Sequence, residues 1–170
     1  MPTESPNRLQ GLVRGDVIDV RVTAEEKPKY YEVRAAKPFF YPYIYASLAA
    51  GAEVKNQSLD KLNPPVTEIL QVNEIEIFAN VIAKIRQLQT DAFGLAKQTS
   101  YYLDDRTNMA GNTTFLPIWI DKDRQPDISL KNNTPITITN LKVLFKGWRY
   151  QIAPLKQKPV TASKVTIGSF

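Results

Sequence analysis

The chain has 170 residues, 43% hydrophobic and 23% charged, so it is long enough and apolar enough to bury the core of one ordinary domain. It contains no cysteine and no histidine. These absences exclude disulfides, thiol nucleophiles, thiolate zinc sites and hydrolases that need an imidazole base. The composition therefore predicts a structural or binding protein and not an enzyme, with no cofactor and no metal.

The charge is unevenly distributed along the chain. The 22 basic and 17 acidic residues give a net charge of +5, and after Asp127 there are seven basic residues and no acidic one. This distribution favours a basic face that meets an acidic protein surface, and direct binding of nucleic acid is the weaker interpretation. No apolar run is long enough for a membrane helix, and the first ten residues do not resemble a secretory signal, so we expect a protein made in a cytoplasm.

The first third of the chain predicts an arm and a hairpin. Residues 1–15 have no periodicity and are expected to be an N-terminal arm. Residues 17–23 alternate between apolar and polar side chains, which is typical of a half-buried strand, and residues 30–35 predict a second strand that completes the hairpin. Residues 46–51 suggest one helical turn, and residues 52–65 a loop.

An aromatic segment follows the hairpin and completes the region 16–65. Five aromatic residues occur between positions 39 and 45, and the flanking Pro38 and Pro42 argue against a central strand. We favour an extended segment folded over a core. The alternative is an exposed patch, with Tyr41, Tyr43 and Tyr45 as a platform for a partner protein or a sugar.

Residues 66–153 predict the core of a β-sandwich. Residues 66–93 fit both a helical stripe and strict alternation, and the alternation favours one long strand or a bulged pair. Residues 113–120, 128–130, 136–139 and 141–152 predict further short strands with turns between them. At Gly147 the apolar phase slips by one residue, which predicts a β-bulge.

Residues 154–170 predict a C-terminal arm. The segment carries Lys156, Lys158 and Lys164, yet Val165 and Ile167 are too apolar for a solvated linker. We expect it to dock as a strand or arm, on this chain or on a neighbouring subunit.

Few residues are candidates for chemistry. Asp104, Asp105, Asp121 and Asp123 form the local acidic pairs, and solvated turns explain them better than a glycosidase site. A calcium loop through Asp121, Asp123 and Asp127 is weaker still, because basic residues interleave with the acids. No glycine-rich phosphate loop is present. Clusters at residues 101–102 and 148–150 are read as core packing before base or sugar stacking.

Three stretches, residues 115–120, 134–141 and 143–150, resemble the C-terminal half of small jelly-roll virion proteins of tailed bacteriophages. In that family a strand with an Asn-Leu step precedes one that closes on an aromatic–x–Gly–aromatic–Arg pattern. The matching residues here are Asn140-Leu141 and Phe145-Lys146-Gly147-Trp148-Arg149. The resemblance spans residues 66–152 and implies a capsid cement, decoration, neck or baseplate protein without catalytic residues.

The sequence thus predicts an all-β, jelly-roll-like sandwich with extended arms at both ends. Its expected function is that of a virion protein that binds across subunits of the major capsid protein, as a homotrimer. The alternatives are a neck, tail or baseplate component, a carbohydrate-binding module, and an enzyme working through Asp104 and Asp105. The predicted partner-binding residues are Lys142, Lys146, Arg149, Lys156, Lys158, Tyr41, Tyr43 and Tyr45.

Overall fold

The computed structural model describes residues 11–20, 29–78, 81–90, 96–103, 118–122, 124–160 and 162–167. In these ranges the chain forms ten strands and one short 3-10 turn, η1, at Asp60–Leu62. The strands are β1 (Val17–Val20), β2 (Lys29–Leu48), β3 (Glu53–Ser58), β4 (Glu68–Ile77), β5 (Val81–Thr90), β6 (Ala96–Leu103), β7 (Ile118–Ile120), β8 (Pro126–Asn132), β9 (Ile138–Pro154) and β10 (Val165–Ile167).

The strands form two sheets that pack face to face, which confirms the predicted all-β sandwich. Sheet A has the order β10-β1-β2-β9-β4-β7, and sheet B has the order β3-β8-β5-β6. Neighbouring strands are antiparallel except for β1 and β10, which run parallel.

The strands from β2 to β9 pair in nested order. The outermost two, β2 and β9, pair with each other, and so do β3 with β8, β4 with β7, and β5 with β6. Alternate pairs fall in opposite sheets, so the chain crosses repeatedly between the two layers. Most contacts are therefore between residues far apart in the sequence.

The main hydrophobic core fills the space between the sheets. Sheet A contributes buried residues from β2, β4, β7 and β9, and sheet B contributes them from β5 and β8. The turn η1 closes one end of this core with Leu62, which is 1% exposed. The largest fully buried side chains that sheet A contributes are Leu48, Leu70, Ile118, Ile120 and Phe145.

Within the range 66–93, residues 68–77 and 81–90 form strands, as the alternation predicted, but they are neither one long strand nor a bulged pair within one sheet. They divide into β4 in sheet A and β5 in sheet B, so alternating apolar side chains of both strands reach the same core. The loop predicted at 52–65 is wrong, because it contains β3 and η1. Strand β3 carries mostly polar side chains and has Asn56 at a φ of 56°, so its sequence lacks regular alternation. The helical turn predicted at 46–51 is the end of β2 followed by a turn at Gly51.

The segment 16–65, which the sequence set apart from the sandwich, supplies strands to both sheets. Strand β2 pairs with β9 almost throughout its length. The C-terminal segment also joins the sandwich, since β10 pairs with β1 of the same chain and Ile167 is buried. The N-terminal arm is described only from Gly11 onward.

The predicted bulge at Gly147 lies on the neighbouring strand. Strand β9 keeps continuous register with β2 through Gly147, whereas β4 inserts Asn73 between its pairs Val72↔Gly147 and Glu74↔Lys146. A Cβ on Gly147 would lie 1.7 Å from the main-chain oxygen of Gln71. Gly147 therefore gives the bulged strand room to approach.

The change of apolar phase in β9 is a change of buried face. Leu141, Val143 and Phe145 point toward sheet B, whereas Tyr150 and Ile152 belong to a second buried cluster on the opposite face of sheet A. Since neighbouring residues of a strand point to opposite faces, no slip in register is required. We call the face of sheet A toward sheet B its inner face, and the opposite one its outer face.

We predict that Gly147→Ala destabilises the protein by about 3 kcal/mol or more, because the added methyl collides with main chain that cannot move without breaking the β4–β9 pairing. Urea unfolding measures the change in the free energy of unfolding. Gly51→Ala is the control: a Cβ there meets open space at a φ of +69°, so only about 1 kcal/mol of backbone strain is expected. Equal losses in the two variants would contradict the steric explanation.

Candidate interaction surface

The outer face of sheet A is covered at one end by the start of the described chain. There Leu12 packs over Tyr150, which is fully buried. The Leu12 amide donates to the Tyr150 hydroxyl over 2.8 Å, and that hydroxyl donates to Gln71 Oε1 over 2.7 Å. The segment is therefore attached to the sheet by a buried hydrogen-bond chain.

Local contacts fix the path of this N-terminal segment, residues 11–16. The Val13 amide donates to Asp16 Oδ2 over 2.8 Å, and the Gly15 amide donates to the Val33 carbonyl over 2.8 Å. At Gly11 a Cβ would lie 2.7 Å from Trp148 Cδ2, so the backbone rests directly on the indole ring. A glycine at position 11 allows this approach.

The other end of the outer face exposes large apolar side chains. Phe40 and Ile44 of β2 are 63% and 56% exposed, and Phe78, directly after β4, is 60% exposed. The register places Phe40 beside Lys146 and Ile44 beside Lys142 on one surface. We call this surface the outer-face patch; it comprises Pro38, Phe40, Pro42, Ile44, Phe78, Lys142, Leu144 and Lys146.

Charged side chains of the patch lie against its apolar ones. Lys142 Nζ lies 5.9 Å from the centre of the Phe78 ring, within cation–π range. Lys146 Nζ lies 3.1 Å from Glu76 Oε1. The patch is thus apolar along β2 and charged along β9 and β4, which is typical of a protein-binding surface with a polar rim.

The prolines of β2 occur where the strand has a free edge. Strand β1 pairs only with residues 29–32 of β2, so beyond them that edge carries no partner strand among the described residues. Because proline has no N–H, Pro38 and Pro42 each lack the backbone donor that another residue would offer to a neighbouring strand. Both prolines thus lie within a strand, which the sequence did not predict for this segment, at a stretch where only one side of β2 has a partner strand among the described residues.

Two of the predicted partner-binding residues, Lys142 and Lys146, lie in the outer-face patch. The predicted tyrosines lie elsewhere, half-buried against the core between the sheets. Tyr41 stacks on Phe145 with ring centres 5.8 Å apart. The pKa of Tyr41 is raised above its ordinary value, mainly by burial and to a smaller extent by the nearby Asp60 carboxylate. Burial also raises the pKa of Tyr43. The three tyrosines therefore do not form an exposed platform.

The remaining predicted residues separate into two further places. Arg149 lies on the inner face, 5.7 Å from the centre of the Phe39 ring, with its Nε 3.7 Å from Glu68 Oε2. Lys156 and Lys158 line a groove with Lys29 near the end of β9. The structure thus does not gather the predicted residues into one site.

The acidic candidates have arginine partners where they are described. Asp121 pairs with Arg124, and Asp127 pairs with Arg86 across β5 and β8, with Arg86 Nε 3.2 Å from both carboxylate oxygens. Residues 104–105 and 123, and the side chains of 101–102, lie outside the described residues. In the described part of the chain, no three acidic side chains are grouped to hold a metal ion.

The sequence interpretation missed Phe40, Ile44 and Phe78 as surface residues. Each is an apolar residue in the outward phase of its strand: Phe78 continues the phase of Glu74 and Glu76, and Phe40 and Ile44 alternate with the inward aromatics of β2. Large apolar residues at positions of a strand that otherwise face solvent could have indicated this exposed surface.

No protein-family model matches the chain, and no curated protein is significantly similar to it. The part of the chain that the structure describes contains no helix long and apolar enough to cross a membrane.

We predict that Tyr150→Phe destabilises the protein by about 1–3 kcal/mol at neutral pH, because it leaves the Leu12 amide without its acceptor and Gln71 without its donor. Urea unfolding measures this change. The half-buried Tyr30 offers a control, since Tyr30→Phe should change the free energy of unfolding by less than about 0.5 kcal/mol. A loss no larger than that of the control would contradict the role of the hydrogen-bond chain.

We also predict that the stability difference between wild type and Tyr150→Phe depends on pH in the alkaline range. Burial raises the pKa of Tyr150 to about 12, so the folded protein keeps a proton that the unfolded chain loses near pH 10. The resulting stability is fully present below pH 10 and declines as the pH rises toward 12. The difference in unfolding free energy between wild type and Tyr150→Phe should therefore narrow over this interval, and a constant difference would contradict the burial of the phenol.

Proposed function

We propose that the protein is a structural virion component of a tailed phage, which docks on another virion protein through the outer-face patch. The observation that carries this proposal is the uneven cover of one sheet face. One end is sealed by the N-terminal segment, whereas the other leaves Phe40, Ile44 and Phe78 more than half exposed. An exposed apolar patch next to a sealed one is the arrangement expected of a surface reserved for a partner.

The size of the apolar surface supports docking. Burying the exposed parts of Phe40, Ile44 and Phe78 would contribute about 3–5 kcal/mol before the costs of association. Lys142 and Lys146 lie at the side of these residues, where they can meet acidic groups of the partner and orient it.

Docking through the face is favoured over addition of a strand to β2. Pro38 and Pro42 have no N–H to donate, and prolines in a strand with a free edge disfavour pairing with an extra strand. The partner is therefore expected to contact side chains of the patch more than main chain of the edge.

The jelly-roll part of the prediction is supported by the nested pairing. In a jelly roll the first of eight strands pairs with the last, the second with the seventh, and so on inward, which is the order of β2 to β9. Together with the resemblance of residues 66–152 to phage virion proteins, this supports a structural role. We place the protein on the major capsid protein, as a homotrimeric cement or decoration protein made in the host cytoplasm; a neck, tail or baseplate position is the alternative.

The carbohydrate-binding alternative receives no such support. It had two candidate platforms, the aromatics at 39–45 and those at 101–102. Tyr41, Tyr43 and Tyr45 pack against the inter-sheet core, and the side chains of 101–102 lie outside the described residues. Phe40 is exposed, but it lies on the opposite face from the rings of these three tyrosines.

The proposal is tested by restoring the protein to particles from which it has been deleted. Phe40→Ser with Ile44→Ser should weaken binding by about thirtyfold or more, because two central apolar contacts are removed. Co-sedimentation measures the bound protein, and the thermal resistance of the particles measures its effect.

The control removes equally exposed apolar side chains elsewhere. Val66 and Ile136 are 63% and 66% exposed and lie outside the patch, so Val66→Ser with Ile136→Ser should leave binding unchanged. If both double variants bind like the wild type, the patch is not the docking surface. If the wild type itself does not bind particles, the virion role is wrong.

A further inference from the structure

A second surface, on the inner side of the β2 free edge, concentrates positive charge from three elements. Lys37 of β2, Arg149 of β9 and Lys61 of η1 line one groove of about 340 Å³ together with Phe39, Phe40 and Tyr41. We call it the basic groove. It is separate from the outer-face patch, with which it shares only the residues of the strand edge.

Two of these cations oppose each other directly across the sheet. The register pairs Lys37 with Arg149, so their Cβ atoms lie about 5 Å apart on one face. Like charges in this position repel and destabilise a sheet, and an anion bound between them would relieve that repulsion. The local arrangement therefore points to a negatively charged ligand.

Acidic side chains offset this charge only in part: the Asp60 carboxylate lies near Tyr41, and Glu68 lies near Arg149. Neither Lys37 nor Lys61 forms an ion pair within the described part of the chain, and both are exposed. Arg149 approaches Glu68 at 3.7 Å, a loose contact with 43% of the arginine side chain exposed. Its guanidinium is held instead over the Phe39 ring, which positions the cation toward the groove.

The aromatic side chains of the groove disfavour a nucleic acid. Phe39 is 8% exposed and lies under Arg149, and Tyr41 is stacked on Phe145. Only Phe40 presents an open ring, whereas a single-stranded nucleic acid needs a series of free rings for successive bases.

We infer that the basic groove binds an acidic, extended peptide segment of a partner protein. In an extended chain, alternate residues lie on one side about 7 Å apart. Of two carboxylates with one residue between them, one can therefore contact Lys37 and Arg149 and the other can contact Lys61. The groove lies at the free edge of β2, where no strand of the described residues covers it.

The test uses fluorescence anisotropy of a fluorescein-labelled ten-residue peptide in which Glu alternates with Ser, at low salt, with a Gln-Ser peptide as the neutral reference. The Glu peptide should bind, and the Gln peptide should bind at least tenfold more weakly. Lys37→Glu with Lys61→Glu should weaken binding of the Glu peptide at least tenfold, and Arg149→Gln should weaken it severalfold.

The matched control reverses the same amount of charge at the separate groove that Lys156 and Lys158 line near the end of β9. Lys156→Glu with Lys158→Glu should change the affinity less than twofold, and thermal unfolding of each variant checks that it folds. Equal losses in the two double variants would overturn the inference, since they would show attraction to net charge alone. Tighter binding of a twelve-nucleotide oligothymidine than of the Glu peptide, or no binding of the Glu peptide to the wild type, would overturn it as well. None of these outcomes depends on whether the outer-face patch docks on a particle.

Discussion

At Gly147 the buried side chains of β9 change from the inner face of sheet A to its outer face. The close approach of β4 at this glycine is the constraint on which the positions of both hydrophobic clusters depend. The main-chain oxygen of Gln71 occupies the space that a side chain on Gly147 would fill. Before Gly147, β9 packs toward sheet B; after it, β9 buries Tyr150 and Ile152 beneath the N-terminal segment. One long strand thereby serves two hydrophobic clusters on opposite faces of the same sheet.

The two surfaces proposed for binding follow from this change of buried face. On the outer face, the cluster around Tyr150 is buried within the protein, whereas Phe40, Ile44 and Phe78 of the outer-face patch are exposed on the same face. On the inner face, β9 turns Arg149 outward beyond the region covered by the main core, opposite Lys37 and near Lys61. An apolar surface and a basic one thus lie on either side of the β2 edge, where prolines weaken pairing with another strand. A partner that binds both surfaces would contact side chains on two faces. Its affinity for the apolar patch should depend weakly on salt concentration, and its affinity for the groove strongly.

The sequence predicted the elements whose alternation is regular, and it failed where burial changes face or where strands are polar. Period-2 patterns predicted that residues 128–130, 141–152 and much of 66–93 are strands. They did not predict that residues 138–154 form one continuous strand or that β4 and β5 lie in different sheets. The slip at Gly147 marked a true irregularity, yet one chain cannot show whether the extra residue belongs to that strand or to its neighbour. Strand β3 carries too few apolar residues to be recognised. The predicted binding residues do not form one site for a related reason. They were grouped by their closeness in sequence, whereas the alternation of a strand places Lys146 and Arg149 on opposite faces.

We propose that the open end of the outer face is buried against a partner when the protein functions. Because the chain contains no cysteine, a single cysteine can report on any chosen position. The most direct measurement is the rate of maleimide labelling of Phe40→Cys and Ile136→Cys, in the isolated protein and in assembled particles. We expect fast labelling of both variants in isolation and protection of Phe40→Cys alone in particles. Equal labelling of Phe40→Cys in the two states would contradict the proposal.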